Sequence, residues 1–414
     1  MWHRTAQWRL RTLAGRSTRA AEEPRPAVTA PRRKPVRDPN YRTLIMTSIH
    51  DIDAARWDAL VGTAAVTRSH AYLAAIEAAQ IHDYRFFYPV VFNRDNEIVA
   101  HACVYTASTD FAQLMPRPLA WLAAQIQRVW PRFLTFRITE CALPLVVGSS
   151  VTVRADEDRS RLLPRIAEAA ADIARTERSI LIVIRDFLDS ERAQADVLLR
   201  HGFNLTANMP LARIRIRWPS YADYLAEMRA RYRKDIKRRL AIAARDAQVV
   251  EVLEHFGADA ARWARQAAVV AAKTKGFKRE ALTPEYYVHM DAKLGAHSRL
   301  LVIDRRGDKV AHGMIILDDA NTIATYFGRE PGQPGKEWFT LINEVIRIGI
   351  ERQSRYVHLG LGSYAAKTLV GAEIEALHVY CRSTFEPINW LMRLVPRAIG
   401  HQSPAVKHIF RDDA

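Results

Sequence analysis

An eleven-residue segment of this sequence occurs twice, at positions 91–101 and 302–312. In both copies two apolar runs flank a polar turn, which is typical of a β-hairpin. The neighbouring predicted helices and strands also recur in the same order, so the sequence predicts two copies of one fold. Five residues of the segment are identical in the two copies: Val91, Arg94, Val99, Ala100 and His101 recur as Val302, Arg305, Val310, Ala311 and His312.

Each predicted copy mixes strands with helices and has a late helix that crosses between strands, which favours an α/β (α+β) class with mixed, mostly antiparallel sheets flanked by helices. We expect domains at 41–217 and 218–395 and a C-terminal tail at 396–414. The first copy has predicted helices at 52–60, 71–79, 165–175 and 191–200 and strands at 85–92, 98–106, 179–184 and 211–216. The second has predicted helices at 221–243, 260–272, 284–294 and 337–352 and strands at 299–303, 310–317, 322–327, 356–361 and 375–381.

The positive charge of the chain is concentrated in two segments. The formal net charge is +16, and residues 1–40 and 213–239 each carry ten basic and three acidic residues. Residues 1–40 contain several prolines and no apolar periodicity, so we interpret them as a disordered basic arm, with an organelle transit peptide as the alternative. Such clusters suit an anionic partner, for example a phosphate-bearing cofactor, an acidic carrier protein, an anionic lipid or a nucleic acid. Solubility alone is the plainer explanation.

The predicted helix 221–243 places its apolar residues along one stripe. The remaining surface is cationic, and we interpret it as a patch for an anionic partner, an acidic carrier protein or a bilayer surface. A solvated helix face is the alternative. The patch consists of Arg231, Arg233, Lys234, Lys237 and Arg238.

Two further segments, 119–136 and 385–410, mix aromatic with basic residues, including Trp121, Trp130 and Trp390. Segments of this kind can lie in a membrane interface, although core helices share the pattern. No apolar run is long enough to span a bilayer, and no compact apolar core marks a secretory signal. Three cysteines without CxxC spacing indicate neither a disulfide framework nor a zinc ribbon, so no metal is expected. We expect a cytoplasmic protein with peripheral contact to the inner face of the membrane.

The order of elements and two motifs resemble the GNAT acyltransferase superfamily in its tandem form, which includes Fem-type aminoacyltransferases and lipid N-acyltransferases. One motif is the strand, glycine-rich loop and helix that begin at Thr325-Tyr-Phe-Gly. The other is the strand starting at Val357 that ends near the Tyr-x-x-Lys segment of Tyr364 and Lys367. A weaker similarity, in Arg128-Val-Trp-Pro-Arg-Phe-Leu134, is to bacterial ceramide synthases. The resemblance covers roughly residues 41–395 and implies a C-terminal copy that is catalytic.

The glycine-rich loop 328–336 opens directly onto a predicted helix, where exposed amide groups form an anion site. We therefore predict that it holds the phosphates of coenzyme A or of an acyl carrier protein, which would be a co-substrate and not a tightly bound cofactor. The strict pyrophosphate signature of the superfamily is absent, and an ordinary strand-to-helix loop is the alternative. The predicted binding residues are Gly328, Gly332, Gly335 and Lys336.

Acyl transfer to an amine needs a proton acceptor for the amine and a proton donor for the departing thiolate. His312 and His358 are the candidate bases, although a strand histidine is often structural. Tyr364 is the candidate donor to sulfur, and Lys367 is a candidate positioning or anion-binding cation. Tyr326 is predicted to line the acyl cleft, with sheet packing as the alternative.

These expectations favour an N-acyltransferase that moves an acyl group from acyl-CoA or an acyl carrier protein to an amine. The ceramide-synthase-like members imply an amphipathic acceptor such as a sphingoid base. Two alternatives stay open. One is a Fem-type aminoacyltransferase that uses aminoacyl-tRNA, the only case in which a nucleic acid is expected. The other is a non-catalytic protein that binds an anionic lipid or a carrier protein.

Overall fold

The computed structural model describes residues 39–273, 280–333, 336–394 and 407–411. The strands over these residues are β1 (Arg42–Met46), β2 (Arg85–Phe92), β3 (Ile98–His101), β4 (Val104–Asp110), β5 (Thr135–Cys141), β6 (Thr152–Val153), β7 (Leu181–Leu188), β8 (Asn204–Ala207), β9 (Leu211–Arg215), β10 (Gln248–Leu253), β11 (Ser298–Arg305), β12 (Asp308–Leu317), β13 (Asn321–Arg329), β14 (Tyr356–Gly360), β15 (Glu373–Glu375) and β16 (Leu377–Ser383). The α-helices are α1 (Ala54–Val61), α2 (His70–Ala78), α3 (Arg117–Gln127), α4 (Arg159–Thr176), α5 (Asp189–Ala195), α6 (Val197–Arg200), α7 (Tyr221–Glu227), α8 (Ala230–Arg245), α9 (Ala260–Lys273), α10 (Pro284–Leu294), α11 (Glu337–Glu351), α12 (Tyr364–Lys367) and α13 (Glu386–Leu394).

Two mixed sheets form the framework of the protein. The first runs β6-β3-β2-β4-β5-β7-β16-β8, with β1 added beside β2, and the second runs β10-β11-β12-β13-β14-β9-β15. In each sheet one parallel pair, β5 with β7 or β13 with β14, follows a series of antiparallel strands. The helix between the two parallel strands, α4 or α11, is the crossover that a parallel pair requires. This confirms the predicted fold class of two mixed sheets flanked by helices.

The two halves exchange one strand each. Strand β9, which was expected to close the first half, lies in the second sheet between β14 and β15. Strand β16, expected to complete the second half, lies in the first sheet between β7 and β8. The predicted sheet membership of both strands is therefore wrong. An apolar strand pattern indicates that the segment pairs with another strand, but it does not specify in which sheet that strand lies. The boundary after residue 217 stays a prediction.

The predicted helix 221–243 is two helices. Strand-like backbone at Met228 ends α7, and α8 starts two residues later. Met228 is fully buried and forms an isolated antiparallel bridge with Phe410. The Arg233 guanidinium donates to the carbonyls of Ala226 and Met228, which satisfies backbone groups that the break leaves free.

Three apolar cores hold the layers together. One lies between the sheets and contains residues of α2 and α10, which pack against each other. The other two lie on the outer faces, where α4 covers the first sheet and α11 covers the second. No helix within the described residues combines the length and the apolar character needed to cross a bilayer. The predicted basic arm falls almost entirely outside the described residues, as does most of the predicted tail.

Candidate functional site

His312, a predicted base, lies within the core between the sheets. Its Nδ1 donates to Gln266 Oε1 at 2.8 Å, and its Nε2 accepts the Tyr287 hydroxyl at 2.9 Å. The side chain has no solvent exposure, and burial lowers its pKa to about 3. Both ring nitrogens are thus occupied by protein partners. This environment is that of a structural histidine, and it argues against the predicted role as the base.

His101, the repeat counterpart of His312, is also fully buried, and its Nε2 contacts the Trp57 carbonyl at 3.3 Å, whereas its Nδ1 has no hydrogen-bond partner among the described residues. It stacks on Trp57 with ring centroids 3.6 Å apart, and burial lowers its pKa to about 3. Trp263 also lies beside His312, but tilted by 57° at a centroid distance of 5.3 Å. His358, the other predicted base, is paired with Arg213 across β14 and β9, and burial followed by the charge of Arg213 lowers its pKa to about 4.

The second sheet opens where its parallel pair ends. Strands β13 and β14 pair only at Asn321–Ile323 and Tyr356–His358, and β13 then continues without β14 to Arg329. After β14 the chain turns through Gly360, Gly362 and Ser363, all with positive φ, into the short helix α12. Positive φ at three of four positions makes the sharp turn, and the two glycines adopt it without steric cost.

Tyr364 and Lys367 lie on α12, directly after this turn. Tyr364 is half-buried, its hydroxyl donates to the Pro210 carbonyl at 2.7 Å, and burial raises its pKa. Lys367 is buried and its Nζ donates to the Leu361 carbonyl at 2.8 Å. Burial lowers the pKa of Lys367 to about 7. Both residues of the predicted pair therefore lie on one short helix, Tyr364 as a protonated phenol and Lys367 as an amine that titrates near neutral pH, and each donates to a different backbone carbonyl.

Tyr326 faces the core between the sheets from the part of β13 that extends beyond β14. Its hydroxyl donates to Glu280 Oε2 at 3.0 Å, and the Tyr84 hydroxyl of the first half donates to Glu280 Oε1 at 2.7 Å. Burial, followed by the charge of Glu280, raises the pKa of Tyr326 well above its usual value. The Glu280 carboxylate thus accepts hydrogen bonds from phenols of both halves. The ring of Tyr326 packs against the core between the sheets while its hydroxyl makes this polar contact.

A buried ionic cluster lies at the corresponding opening of the first sheet. Arg185 on β7 contacts Glu140 Oε2 at 3.0 Å, Asp186 Oδ2 at 2.6 Å and the Tyr105 hydroxyl at 3.0 Å. Tyr105 also donates to Glu140 at 2.7 Å. Burial raises the pKa of Asp186, a shift that Arg185 opposes. Asp186 also has φ of +71°, which is unusual for a residue other than glycine.

A cavity of about 490 Å³ lies where the exchanged strands leave one sheet for the other. Two of its lining residues connect it to the groups above, because Asn208 donates to Asp186 at 2.6 Å and Pro210 accepts from Tyr364. Its ionisable lining residues are Asp189, Arg213, Glu373, Glu375 and His378. The cavity therefore separates the ionic cluster of the first half from the Tyr364–Lys367 pair of the second.

The predicted phosphate loop fits an anion only in part. Gly332 has φ of +85° with open space around it, and Lys336 is exposed at the start of α11. Gly328 has a packing role, since a Cβ there would lie 2.2 Å from His312 Cε1 and 2.7 Å from the Ala267 nitrogen. Glu337 places a fully buried carboxylate in the first turn of α11, where Arg305 pairs with it at 3.4 Å. Gly335 lies outside the described residues.

The cationic patch lies on α8, where Arg231, Lys234, Lys237 and Arg238 are exposed. Arg233 is half-buried by its contacts at the helix break, and Arg238 also pairs with Asp235. Four of the five predicted residues therefore present charge to solvent. The described residues contain no cluster of three or more His, Cys, Asp or Glu side chains that could hold a metal ion.

Sequence reasoning missed the ionic cluster and the bridging carboxylate Glu280. A signal for the cluster was present, since Arg185 and Asp186 directly follow the buried strand run 179–184. Charged residues inside an apolar strand indicate buried pairing. No signal of this kind identifies Glu280, whose two phenol partners are distant in sequence.

Comparison with known proteins gives a family and a fold. A family model named FemAB-like and described as peptidoglycan biosynthesis/recognition matches residues 48–362. FemX, a solved structure, is 10% identical at a TM-score of 0.51, covering 84% of this chain and 99% of its own. A tandem GNAT protein from the clavulanic acid biosynthesis pathway is 10% identical at a TM-score of 0.48, covering 83% of this chain and 98% of its own. At these identities the similarity to FemX concerns the fold.

Curated relatives at higher identity occur in two strains of Mycobacterium tuberculosis. Each is named as an 8-amino-7-oxononanoate synthase 2 and is 26% identical over 330 residues, 77% of this chain. The match covers 42% of those proteins, so the chain spans about two-fifths of the length of the curated relatives it matches.

Proposed function

Because the chain belongs to the FemAB-like family and shares the fold of FemX, we propose that it is a transferase that moves an acyl group from acyl-CoA to an amine. The opening between β13 and β14, with Tyr364 and Lys367 at its end, is the observation that carries the proposal. In this scheme the thioester lies in the opening, and the second half holds the reacting groups.

The chemistry needs two proton transfers, and the Tyr364–Lys367 pair suits both. The amine nitrogen bonds to the thioester carbonyl carbon, and the carbon–sulfur bond breaks. Lys367, whose pKa is about 7, is partly neutral at neutral pH and accepts the proton that the amine loses. Tyr364 keeps its proton at neutral pH and donates it to the departing thiolate, then regains one from solvent. The predicted bases His312 and His358 are replaced in this scheme by Lys367.

The donor is proposed as acyl-CoA, since the comparisons give no support to a carrier protein. Gly332 and Lys336 support phosphate binding at the start of α11, whereas the buried Glu337 opposes it. Lys336→Ala therefore serves as a direct test. We expect a higher KM for acyl-CoA with little change in kcat, because Lys336 would contribute binding that is equal in the ground and transition states.

The acceptor is proposed to be an amphipathic amine, with a sphingoid base as the first candidate. The cavity between the halves supports a cationic acceptor, because its lining has three carboxylates, Asp189, Glu373 and Glu375, and one arginine, Arg213, which pairs with Glu375 at 2.6 Å.

The proposal is tested with purified protein, a long-chain acyl-CoA and a panel of amines that includes sphinganine, with product detection by mass spectrometry. We expect one N-acylated product. Tyr364→Phe is expected to lower kcat about 100-fold, with a loss of stability of no more than about 1 kcal/mol from the hydrogen bond to the Pro210 carbonyl. In the parent, the rate is expected to increase as the pH rises through about 7, because Lys367 must lose its proton to act as the base. Lys367→Met is expected to abolish this increase. No product with any amine, or full activity in both variants, would contradict the proposal.

The family match favours a second candidate, aminoacyl transfer from aminoacyl-tRNA. The exposed cationic residues of α8 would then bind the nucleic acid, which requires positive charge and makes binding salt-dependent. Charged tRNA supplied in place of acyl-CoA distinguishes the two. Consumption of the tRNA alone would establish the second candidate and exclude the first.

A further inference from the structure

The exposed Trp and Phe side chains of the described residues are confined to two segments that lie far apart in the sequence. Trp121, Trp130 and Phe136 are 66%, 60% and 39% exposed, and Phe385 and Trp390 are 59% and 61% exposed. More than 240 positions separate the two segments. Aromatic side chains of this size are usually buried, so their exposure indicates a surface with a binding function.

The first sheet brings the two segments to the same end. Strands β5 and β7 are parallel, and β16 is antiparallel to β7, so the start of β5, the start of β7 and the end of β16 coincide. Ile180 N donates to the Arg137 carbonyl at 2.9 Å, and Thr384 N donates to the Ile180 carbonyl at 3.1 Å. Phe136 precedes Arg137 and Phe385 follows Thr384, so the two rings leave strands about 10 Å apart.

The exposed side chains at this end are fixed by buried polar contacts behind them. Asn389 on α13 is buried, contacts Asn204 at 3.0 Å and donates to the Gly202 carbonyl at 3.2 Å. On the other segment, Gln127 at the end of α3 donates to Asp110 and to the Phe133 carbonyl. These contacts anchor the helices, and the apolar residues between them are left outside the core. The aromatic surface consists of Trp121, Leu122, Trp130, Phe136, Phe385, Ile388 and Trp390.

Exposed arginines flank the aromatic surface. Arg128 and Arg132 follow α3, and Arg178 lies at the turn that enters β7 between the two segments. Apolar side chains flanked by cations match the two layers of an anionic bilayer interface, whose headgroups attract the arginines and whose acyl region accepts Trp and Phe. We propose that the aromatic surface is the face by which the protein docks onto an anionic phospholipid bilayer. The strand exchange is essential to this surface, because only the placement of β16 in the first sheet brings Phe385 and α13 to the same end as Phe136.

The test measures binding of the full chain to vesicles of phosphatidylglycerol and phosphatidylethanolamine by co-sedimentation. We expect Trp121→Ala/Trp130→Ala/Trp390→Ala to lower vesicle partitioning about tenfold or more, since partitioning scales with buried apolar area. The matched control is Ile242→Ala/Val249→Ala/Val252→Ala, which removes exposed apolar side chains from α8 and β10. Binding of this control is expected to equal that of the parent.

A second arm tests the arginines. Arg128→Glu/Arg132→Glu/Arg178→Glu is expected to abolish the preference for phosphatidylglycerol over phosphatidylcholine vesicles, and far-UV circular dichroism confirms that each variant is folded. Failure of the parent to bind vesicles, or equal loss in the tryptophan and control variants, would overturn the proposal. Sedimentation of the parent as a dimer that the tryptophan variant converts to a monomer would overturn it as well, and would assign the surface to a second copy of the chain. None of these outcomes depends on acyl transfer.

Discussion

The hairpin histidines of the two halves have kept the same buried position, whereas the openings of the two sheets have diverged. His101 and His312 are both buried beside a tryptophan of the preceding helical region. At the openings, the first half has the Arg185 ionic cluster, and the second has a lysine whose described hydrogen bond is to a backbone carbonyl. A residue that is identical in both copies therefore indicates a structural role in the shared fold. Residues that take part in the reaction are expected at positions where the two copies differ.

The largest expected effect concerns the ionic cluster. Arg185→Ala leaves the carboxylates of Glu140 and Asp186 buried without their cation, so we expect the free energy of unfolding to fall by about 3–5 kcal/mol. Urea denaturation measures the change. The matched variant in the second half is Lys367→Met, which removes a buried amine without stranding an opposite charge. We expect it to leave stability unchanged or to raise it, and similar losses in both variants would refute the distinction between the openings.

A second prediction separates packing from anion binding among the glycines of the predicted phosphate loop, of which Gly328 lies in β13 and Gly332 follows it. Gly328→Ala forces a Cβ against His312 and the backbone of α9, so we expect a loss of about 3 kcal/mol. Gly332→Ala meets no neighbouring atom, and we expect only about 1 kcal/mol from its positive φ. Thermal unfolding ranks the two. A loss for Gly332→Ala that matches that of Gly328→Ala would contradict this assignment.

The third prediction tests the shared role of the two histidines through pH. Their folded pKa of about 3 lies below the unfolded value, so the unfolded state binds protons first as the pH falls. Stability is therefore retained above about pH 6.5 and lost between about pH 6.5 and 3. Between about pH 6.5 and 5 each histidine contributes a loss of about 2 kcal/mol.

The measurement is urea denaturation across this pH range for the parent and two variants. We expect His101→Gln and His312→Gln each to flatten the pH dependence by a similar amount. Flattening by one variant only would show that the copies have diverged at this position too.

The smallest expected effect concerns the link between the halves. Tyr84→Phe and Tyr326→Phe each remove one hydroxyl that donates to Glu280 and keep the aromatic ring. We expect each to lower the free energy of unfolding by about 1 kcal/mol. A double-mutant cycle by thermal unfolding measures their coupling through the shared carboxylate. Strictly additive losses would show that Glu280 does not couple the two halves.

The sequence by itself determined the repeat, the two hairpins, the mixed α/β class and the position of Tyr364 and Lys367 after a strand. These features follow from local patterns, namely the alternation of apolar residues, turn residues and a few spaced polar groups. The tertiary structure alone decided that β9 and β16 exchange sheets, that the helix breaks at Met228, and that Arg185 meets Glu140. Backbone hydrogen bonds are the same for every strand, so the choice of partner depends on chain connection and on packing, which no local pattern encodes.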